Sequence, residues 1–235
     1  MTPFAAASRD GAYRGGMQGY DDKQQNYFQW TRHEMLPFVP DGVRSVLEIG
    51  CGTGSFGAAI KQLRGCRYTG LELFENAAAE ARTHLDEAHA LDIEAAPLPF
   101  APATFDCLVC NDVLEHLVDP WAVLRKLRVV LQPGAYVVAS LPNLRYFEVM
   151  KDLVLRGRFD YQDSGVLDRT HLRFFTRHSA RQLIESSGAQ VLRFEGINAA
   201  RLPWKLRLFN SLVGGALDDT RFLQYACLAR LPAAA

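Results

Sequence analysis

The chain has 235 residues, 49% of them hydrophobic, and its 26 basic and 26 acidic side chains cancel to zero net charge. That length fits one α/β domain, and the apolar content is enough for a full core. The charge balance argues against a protein coated with basic charge for nucleic acid, and no apolar run approaches the roughly 20 residues of a membrane span.

Residues 1–20 are small, polar and Gly-rich and are expected to form a flexible tail. They lack a basic segment followed by an apolar one, so no secretion signal is expected and a cytoplasmic location is. Five cysteines, Cys51, Cys66, Cys107, Cys110 and Cys227, are odd in number and scattered, which fits a reduced compartment. A helix is expected from Asp21 or Asp22, with Tyr27, Trp30, Met35 and Leu36 as its buried stripe and Pro37, Pro40 and Gly42 ending it. Strands and helices then alternate. Residues 43–49 read as a strand, 56–63 as a helix, 67–73 as a strand, 76–85 as an Ala-rich helix and 88–92 as a short strand. Pro97, Pro99 and Pro102 mark a loop. Residues 105–110 form a strand whose Cys107 and Cys110 point to opposite faces, as core cysteines rather than a metal or redox pair. A helix over 120–131 should carry Trp121, Leu124, Leu127 and Leu131 on one side, Pro133-Gly134 should stop the chain, and 135–141 should be a strand. This rhythm predicts a doubly wound, mainly parallel α/β sheet with a ligand at the carboxyl ends of its strands. The rhythm lapses after 141. A helix at 179–187 and strands at 189–195 and 222–230 complete one domain over 21–235, with substrate-side insertions at about 143–176 and 200–217.

Residues 46–57 read VLEIGCGTGSFG, an apolar strand running into Gly50, Gly52 and Gly54. A Gly-rich turn from strand to helix brings bare backbone N–H groups close to a ligand. Two cofactors fit. Gly52-x-Gly54-x-x-Gly57 matches the dinucleotide fingerprint, with Glu72 where a ribose-binding acid should stand. Glu48 discriminates between them. A carboxylate just before the glycines opposes an anionic pyrophosphate, whereas S-adenosylmethionine carries an ammonium and a sulfonium. The order acid-x-Gly-x-Gly-x-Gly resembles motif I of the class I S-adenosylmethionine-dependent methyltransferases. Leu114-Glu115-His116-Leu117 is similar to the wording of the type 11, 12 and 23 subgroup. The resemblance implies a Rossmann-like, seven-stranded sheet with an antiparallel last strand, S-adenosylmethionine as donor and S-adenosylhomocysteine as product. A nicotinamide-dependent oxidoreductase and a non-catalytic cofactor-binding module are the competing readings.

In the cofactor site, Glu48, Gly50, Gly52, Gly54 and Phe56 come from the turn. Glu72 offers two acceptor oxygens to a ribose diol, with Leu73 beside the adenine. By resemblance, Asp92 accepts from the adenine amino group, the backbone of Ile93 reaches the ring, and Asn111 and Val113 line the methionine end. Arg32 is a candidate clamp for the cofactor carboxylate. His171, with an ordinary pKa near neutrality, is the candidate general base, and His116 is a second. Asn143, Tyr161, Asp168 and Arg173 are candidate substrate contacts. The stretch His171–Thr176, HLRFFT, resembles one found in bacterial methyltransferases of sugar and cell-surface glycan biosynthesis, which implies a small-molecule or glycan-like acceptor methylated on oxygen or nitrogen. No metal site is expected. Nucleic acid is not expected as a partner either, because Asn111-Asp112-Val113-Leu114 stands where base methylases carry an Asn-Pro-Pro-Tyr-like motif. In 201–217, Leu202, Leu206, Phe209, Val213 and Ala216 fall at helical spacing among basic residues. Packing over the pocket or at a dimer contact is expected there, with weak membrane-surface contact as the other reading.

Overall fold

The computed structural model describes residues 31–234. The expected tail over 1–20 and the first part of the expected N-terminal helix, with Tyr27 and Trp30, lie outside the described residues. The end of that segment is a 3-10 helix, His33–Phe38, which runs through Pro37 and buries Met35 and Phe38.

Seven strands form one sheet: β1 (Ser45–Ile49), β2 (Arg67–Glu72), β3 (Glu87–Ala90), β4 (Phe105–Asn111), β5 (Leu131–Pro142), β6 (Gln190–Ala199) and β7 (Phe222–Arg230). Their order across the sheet is β3-β2-β1-β4-β5-β7-β6. The first five are parallel neighbours, whereas β7 runs antiparallel between β5 and β6. The chain therefore has the mainly parallel doubly wound sheet its rhythm predicts, closed by an antiparallel pair. The helices α1 (Ser55–Arg64), α2 (Glu75–Ala81), α3 (Pro120–Leu127), α4 (Phe147–Arg156), α5 (Arg177–Glu185) and α6 (Trp204–Leu212) connect the strands. None is long and apolar enough to cross a membrane. The central strands β1, β2, β4 and β5 are covered on both faces and bury most of their residues, whereas the outer strand β6 leaves all of its residues partly or fully exposed; two apolar clusters form, one per face. Cys107 lies in one cluster and Cys110 in the other, as the two-residue period of a strand requires.

Several local expectations are corrected. Pro133-Gly134 does not stop the chain. The strand begins at Leu131, and Gly134 at φ +78° sits where the β4–β5 register shifts between Phe105 and Cys107. A glycine adopts that conformation without Cβ strain, so the kink stays inside the strand. In α3, Asp119 caps the N-terminus by accepting from the Ala122 N–H. This phase buries Val123, Leu124 and Leu127 and leaves Trp121 37% exposed. Helix α2 ends at Ala81, four residues early. Among the described residues the apolar stripe expected in 201–217 does not pack over the cavity, whose wall holds none of it. Phe209 and Leu212 of α6 are 53% and 78% exposed, and the residue α6 buries is Asn210, which bonds to Asp218 and to the Leu217 N–H.

Candidate active site

The parallel register sets the carboxyl ends of β2, β1 and β4 side by side, with Ile49 beside Leu71 and Glu48 beside Val109. The site is built from the turns these strands enter. Gly50, Gly52 and Gly54 have φ of +68°, +55° and +85°, which favours glycine at each. The Gly50 and Cys51 N–H groups donate to the Leu71 carbonyl at 2.8 and 3.2 Å, so the turn folds back onto β2. Glu72 completes the tie. Its Oε2 accepts from Gly52 N–H at 2.9 Å, and its Oε1 accepts from Leu73 and Phe74 N–H at 2.8 and 3.2 Å. Burial pushes this carboxyl up from the ordinary carboxylate range, against the pull of those three donors.

Glu48, in β1 two residues before Gly50, is buried and accepts from the Tyr68 hydroxyl at 3.0 Å. Burial raises its pKa to about 8, against that hydrogen bond and with some help from Glu72. It is therefore mostly protonated at pH 7 and poised to ionise when a cation arrives. With the folded value above the ordinary 4.5, ionising Glu48 costs stability progressively as pH rises from about 4.5 to about 8. A cationic ligand placed beside it relieves that cost and releases a proton. Titration with S-adenosylhomocysteine, which keeps the ammonium, at pH 7 in two buffers of different ionisation enthalpy should show release of up to one proton in the wild type and none in Glu48→Gln. Equal release in both proteins would remove Glu48 as the cation's partner.

A cavity of about 710 Å³ opens above these turns, inside the range of roughly 300–1,000 Å³ typical of ligand sites. Arg32, Glu48, Gly50, Gly52, Phe56, Glu72, Leu73, Asp92, Ile93, Asn111, Val113, His116, Asp168 and His171 all line it. Among the described residues the Asn111 amide, buried in this wall, has neither its Nδ2 nor its Oδ1 hydrogen-bonded. A buried amide without partners is costly, so it marks a place where a ligand's polar group fits. Gly50 must remain bare, since a Cβ there would come within 2.9 Å of Val113 Cγ2.

Other residues chosen from the sequence are not brought to the cavity wall. Gly54 shapes the turn and caps α1 from below. Asn143 is fully buried and fully used: its Nδ2 donates to the Asp219 and Phe222 carbonyls, each at 2.9 Å, and its Oδ1 accepts from Arg145 N–H. It pins the end of β5 to β7. Tyr161 is half exposed and packs against Phe159 and Phe174. Arg173 donates to the Val118 carbonyl and so fastens the insertion to the turn before α3. Arg32 does line the cavity, but its guanidinium already holds Asp112, Glu34 and Gln224.

Asp112 is a cavity residue that sequence reasoning missed. It sits at φ +47° just past β4, pairs with Arg32, and accepts from Ser140 Oγ at 2.7 Å and Gln224 Nε2 at 2.9 Å. Its only signal in the sequence was the Asn-Asp pair that ends a buried strand. Glu115 was missed as well. It lies in a 3-10 helix, Leu114–His116, and is 1% exposed. Its backbone carbonyl accepts from Leu172 and Arg173 N–H at 2.8 and 2.9 Å, which draws the 164–172 loop over the cavity. That loop brings His171 to His116, with ring centroids 4.7 Å apart and planes at 67°. Glu115, His116 and His171 each offer a ligand-type atom, all within 4.8 Å of one another.

Residues 20–193 match a family model described as a methyltransferase domain. The ubiquinone biosynthesis O-methyltransferase of Azoarcus sp. (strain BH72) is 28% identical over 178 residues, covering 66% of this chain and 75% of that one. The enzyme of the same name from Stutzerimonas stutzeri (strain A1501) is 36% identical over 106 residues, covering 43% and 45%. Against that second relative the chain spans less than half of the protein it matches. Among solved structures, an S-adenosylmethionine-dependent methyltransferase from Archaeoglobus fulgidus superposes with a TM-score of 0.62 at 16% identity, covering 93% of this chain and 99% of that one, a likeness of fold.

Proposed function

The chain belongs to the methyltransferase-domain family, and from that premise we propose that it transfers a methyl group from S-adenosylmethionine to a hydroxyl oxygen of a small-molecule acceptor seated against Glu115, His116 and His171. The observation that carries this reading is the meeting of two imidazoles and a carboxylate at the cavity wall: Glu115 and His116 stand four and five residues beyond the end of β4, and His171 comes from the 164–172 loop. A hydroxyl is a poor nucleophile until its proton is weakened or removed, and imidazole and carboxylate groups have the chemistry to do it. Bound, S-adenosylmethionine supplies a sulfonium-borne methyl carbon, whose bonding pair stays on sulfur as S-adenosylhomocysteine when an oxygen lone pair displaces it.

The chain's own residues have three tasks. The Gly50–Gly54 turn and Glu72 fix the donor side, where alignment alone can supply ~7–11 kcal/mol of the barrier. The loop over 164–172, in the 143–176 insertion, closes the acceptor side and excludes water. The imidazole nitrogens weaken the hydroxyl, a contribution of roughly 10²–10⁴-fold. The O-methyltransferase names of the relatives support oxygen as the target. The glycan-like acceptor suggested by HLRFFT enters as one class in the assay panel.

His116→Gln and His171→Gln are each expected to lower kcat by about 10²-fold or more, with S-adenosylhomocysteine affinity held within about threefold. The assay uses a panel of phenols, vicinal diols and nucleotide sugars, with amines as the control class. Undiminished kcat in both variants would remove the cluster from the reaction. Transfer to amines alone would remove oxygen as the target.

A further inference from the structure

The two imidazoles are oriented by their backbone partners. His116 Nδ1 lies 3.1 Å from the Thr170 carbonyl oxygen, and His171 Nδ1 lies 3.0 Å from the Val166 carbonyl oxygen. A carbonyl only accepts, so in each ring Nδ1 is the N–H nitrogen and, in the neutral ring, Nε2 carries the lone pair. The His171 lone-pair nitrogen stands 3.9 Å from Glu115 Oε1, too far for a hydrogen bond, with both atoms being acceptors. Histidines tied by Nδ1–H to a carbonyl, with Nε2 turned inward, are the usual arrangement behind a bound metal ion, because the outer bond fixes the tautomer and the ring plane.

We propose that Glu115, His116 and His171 bind one divalent first-row transition ion at the wall of the cavity. Two imidazole nitrogens and one carboxylate suit ions from Mn²⁺ to Zn²⁺ better than Mg²⁺ or Ca²⁺, which prefer shells of oxygen. Three protein ligands leave further positions open, the pattern of catalytic rather than structural sites. Ligand atoms about 2.1 Å from an ion in a tetrahedron stand about 3.4 Å apart. The cluster, within 4.8 Å throughout, must therefore contract by up to about 1.4 Å at its widest. Small rotations of the two rings about their outer hydrogen bonds supply that movement. Glu115 and His171 are buried, at 1% and 7% exposure, and all three side chains line the cavity, from which an acceptor would approach the ion.

The site's use deepens the O-methyl reading and rests on it. An ion there takes the acceptor oxygen at an open position and lowers the hydroxyl's pKa, so the proton leaves to water and the oxygen lone pair remains for the methyl carbon. In a shell expanded to five or six ligands, an acceptor with two adjacent oxygens fills two open positions at once, which makes vicinal diols and catechol-like phenols the favoured class. The binding itself rests on geometry alone.

The test uses the full chain stripped with EDTA and titrated with Mn²⁺, following the loss of the free-ion electron paramagnetic resonance signal, with Zn²⁺ as competitor. One equivalent should bind in the wild type, and Zn²⁺ should displace it. His116→Gln and His171→Gln should each weaken binding by more than tenfold, with unchanged circular dichroism spectra. His116 is the safer probe because Glu115 and His171 are more buried. No Mn²⁺ binding, or equal binding in wild type and both variants, overturns the site. Stripped protein that keeps full turnover and is lost in the His variants overturns the ion and leaves a direct imidazole base, so the O-methyl reading stands. Mn²⁺ binding that depends on both histidines, without transfer to any hydroxyl, supports the site and removes that reading instead.

Discussion

Glu72→Gln is expected to weaken S-adenosylhomocysteine binding by roughly 10–100-fold, because it leaves a buried polar group mismatched at about 1–3 kcal/mol. Three backbone N–H groups, those of Gly52, Leu73 and Phe74, converge on its two oxygens. Glutamine keeps one acceptor and turns the other into a donor, so at least one N–H must face an NH₂ group. The Gly turn then loses part of its anchor to β2, and the lone pairs left for a ribose diol fall as well. The two losses separate by calorimetry with S-adenosylhomocysteine and its 2′-deoxy analogue. If Glu72 holds the ribose, removing the 2′-hydroxyl weakens the wild type markedly and the variant little, a coupling a double-mutant cycle reads directly. If the analogue costs both proteins the same affinity, Glu72 serves only the turn. The same substitution should lower the melting temperature of the ligand-free protein, because the tie from Gly52 to Glu72 exists without ligand.

Much of the donor side was legible in the sequence because its requirements are local. A left-handed backbone at Gly50, Gly52 and Gly54 demands glycine at those positions. A carboxylate 20 residues from Gly52 is placed by the parallel register of β1 and β2, which any strand–helix–strand unit of that length produces. The acceptor side was not legible in this way. Asn143, Tyr161 and Arg173 have the residue types of binding groups, yet their partners lie at 219 and 222, at 159 and 174, and at 118. The same side chain pins or binds according to contacts that no short window contains. Asp112 was overlooked for that reason, since Arg32, Ser140 and Gln224 are 80, 28 and 112 residues away. His116 and His171 were each visible singly. What the sequence hid was Glu115 between them and the two carbonyls that set their tautomers. Pro133-Gly134 taught the same lesson in the sheet. Two strong breakers were read as a stop, but pairing with β4 on either side of them, at Leu131 and Tyr136, absorbed them as a kink.

Gly57→Val is expected to destabilise the protein by about 3 kcal/mol, in the range for forcing volume into a close-packed core, which lowers the melting temperature by roughly 6–12 °C for a chain of this size. Unlike Gly50, Gly52 and Gly54, Gly57 has no positive φ, so its need for glycine is one of space. A Cβ there would lie 2.6 Å from Leu85 Cδ2 and 2.6 Å from Tyr68 Cε1, deep inside contact distance. Leu85 is 6% exposed and Tyr68 is fully buried, so neither can swing outward. Tyr68 is also the hydroxyl donor to Glu48, so whatever moves its ring disturbs the acid beneath the Gly turn. The variant should therefore lose ligand affinity along with stability. Tyr68→Phe isolates the second effect, since it keeps the ring and removes the hydrogen bond. It should raise the Glu48 pKa further, because that bond is what opposes burial there, and so weaken binding of a cationic ligand at pH 7 more than at pH 9. If Gly57→Val melts with the wild type, the packing of α1 on β2 is looser than these distances require. If Tyr68→Phe binds S-adenosylhomocysteine with the same pH dependence as the wild type, the hydroxyl does not tune Glu48. The third glycine of the fingerprint would then act through helix packing alone.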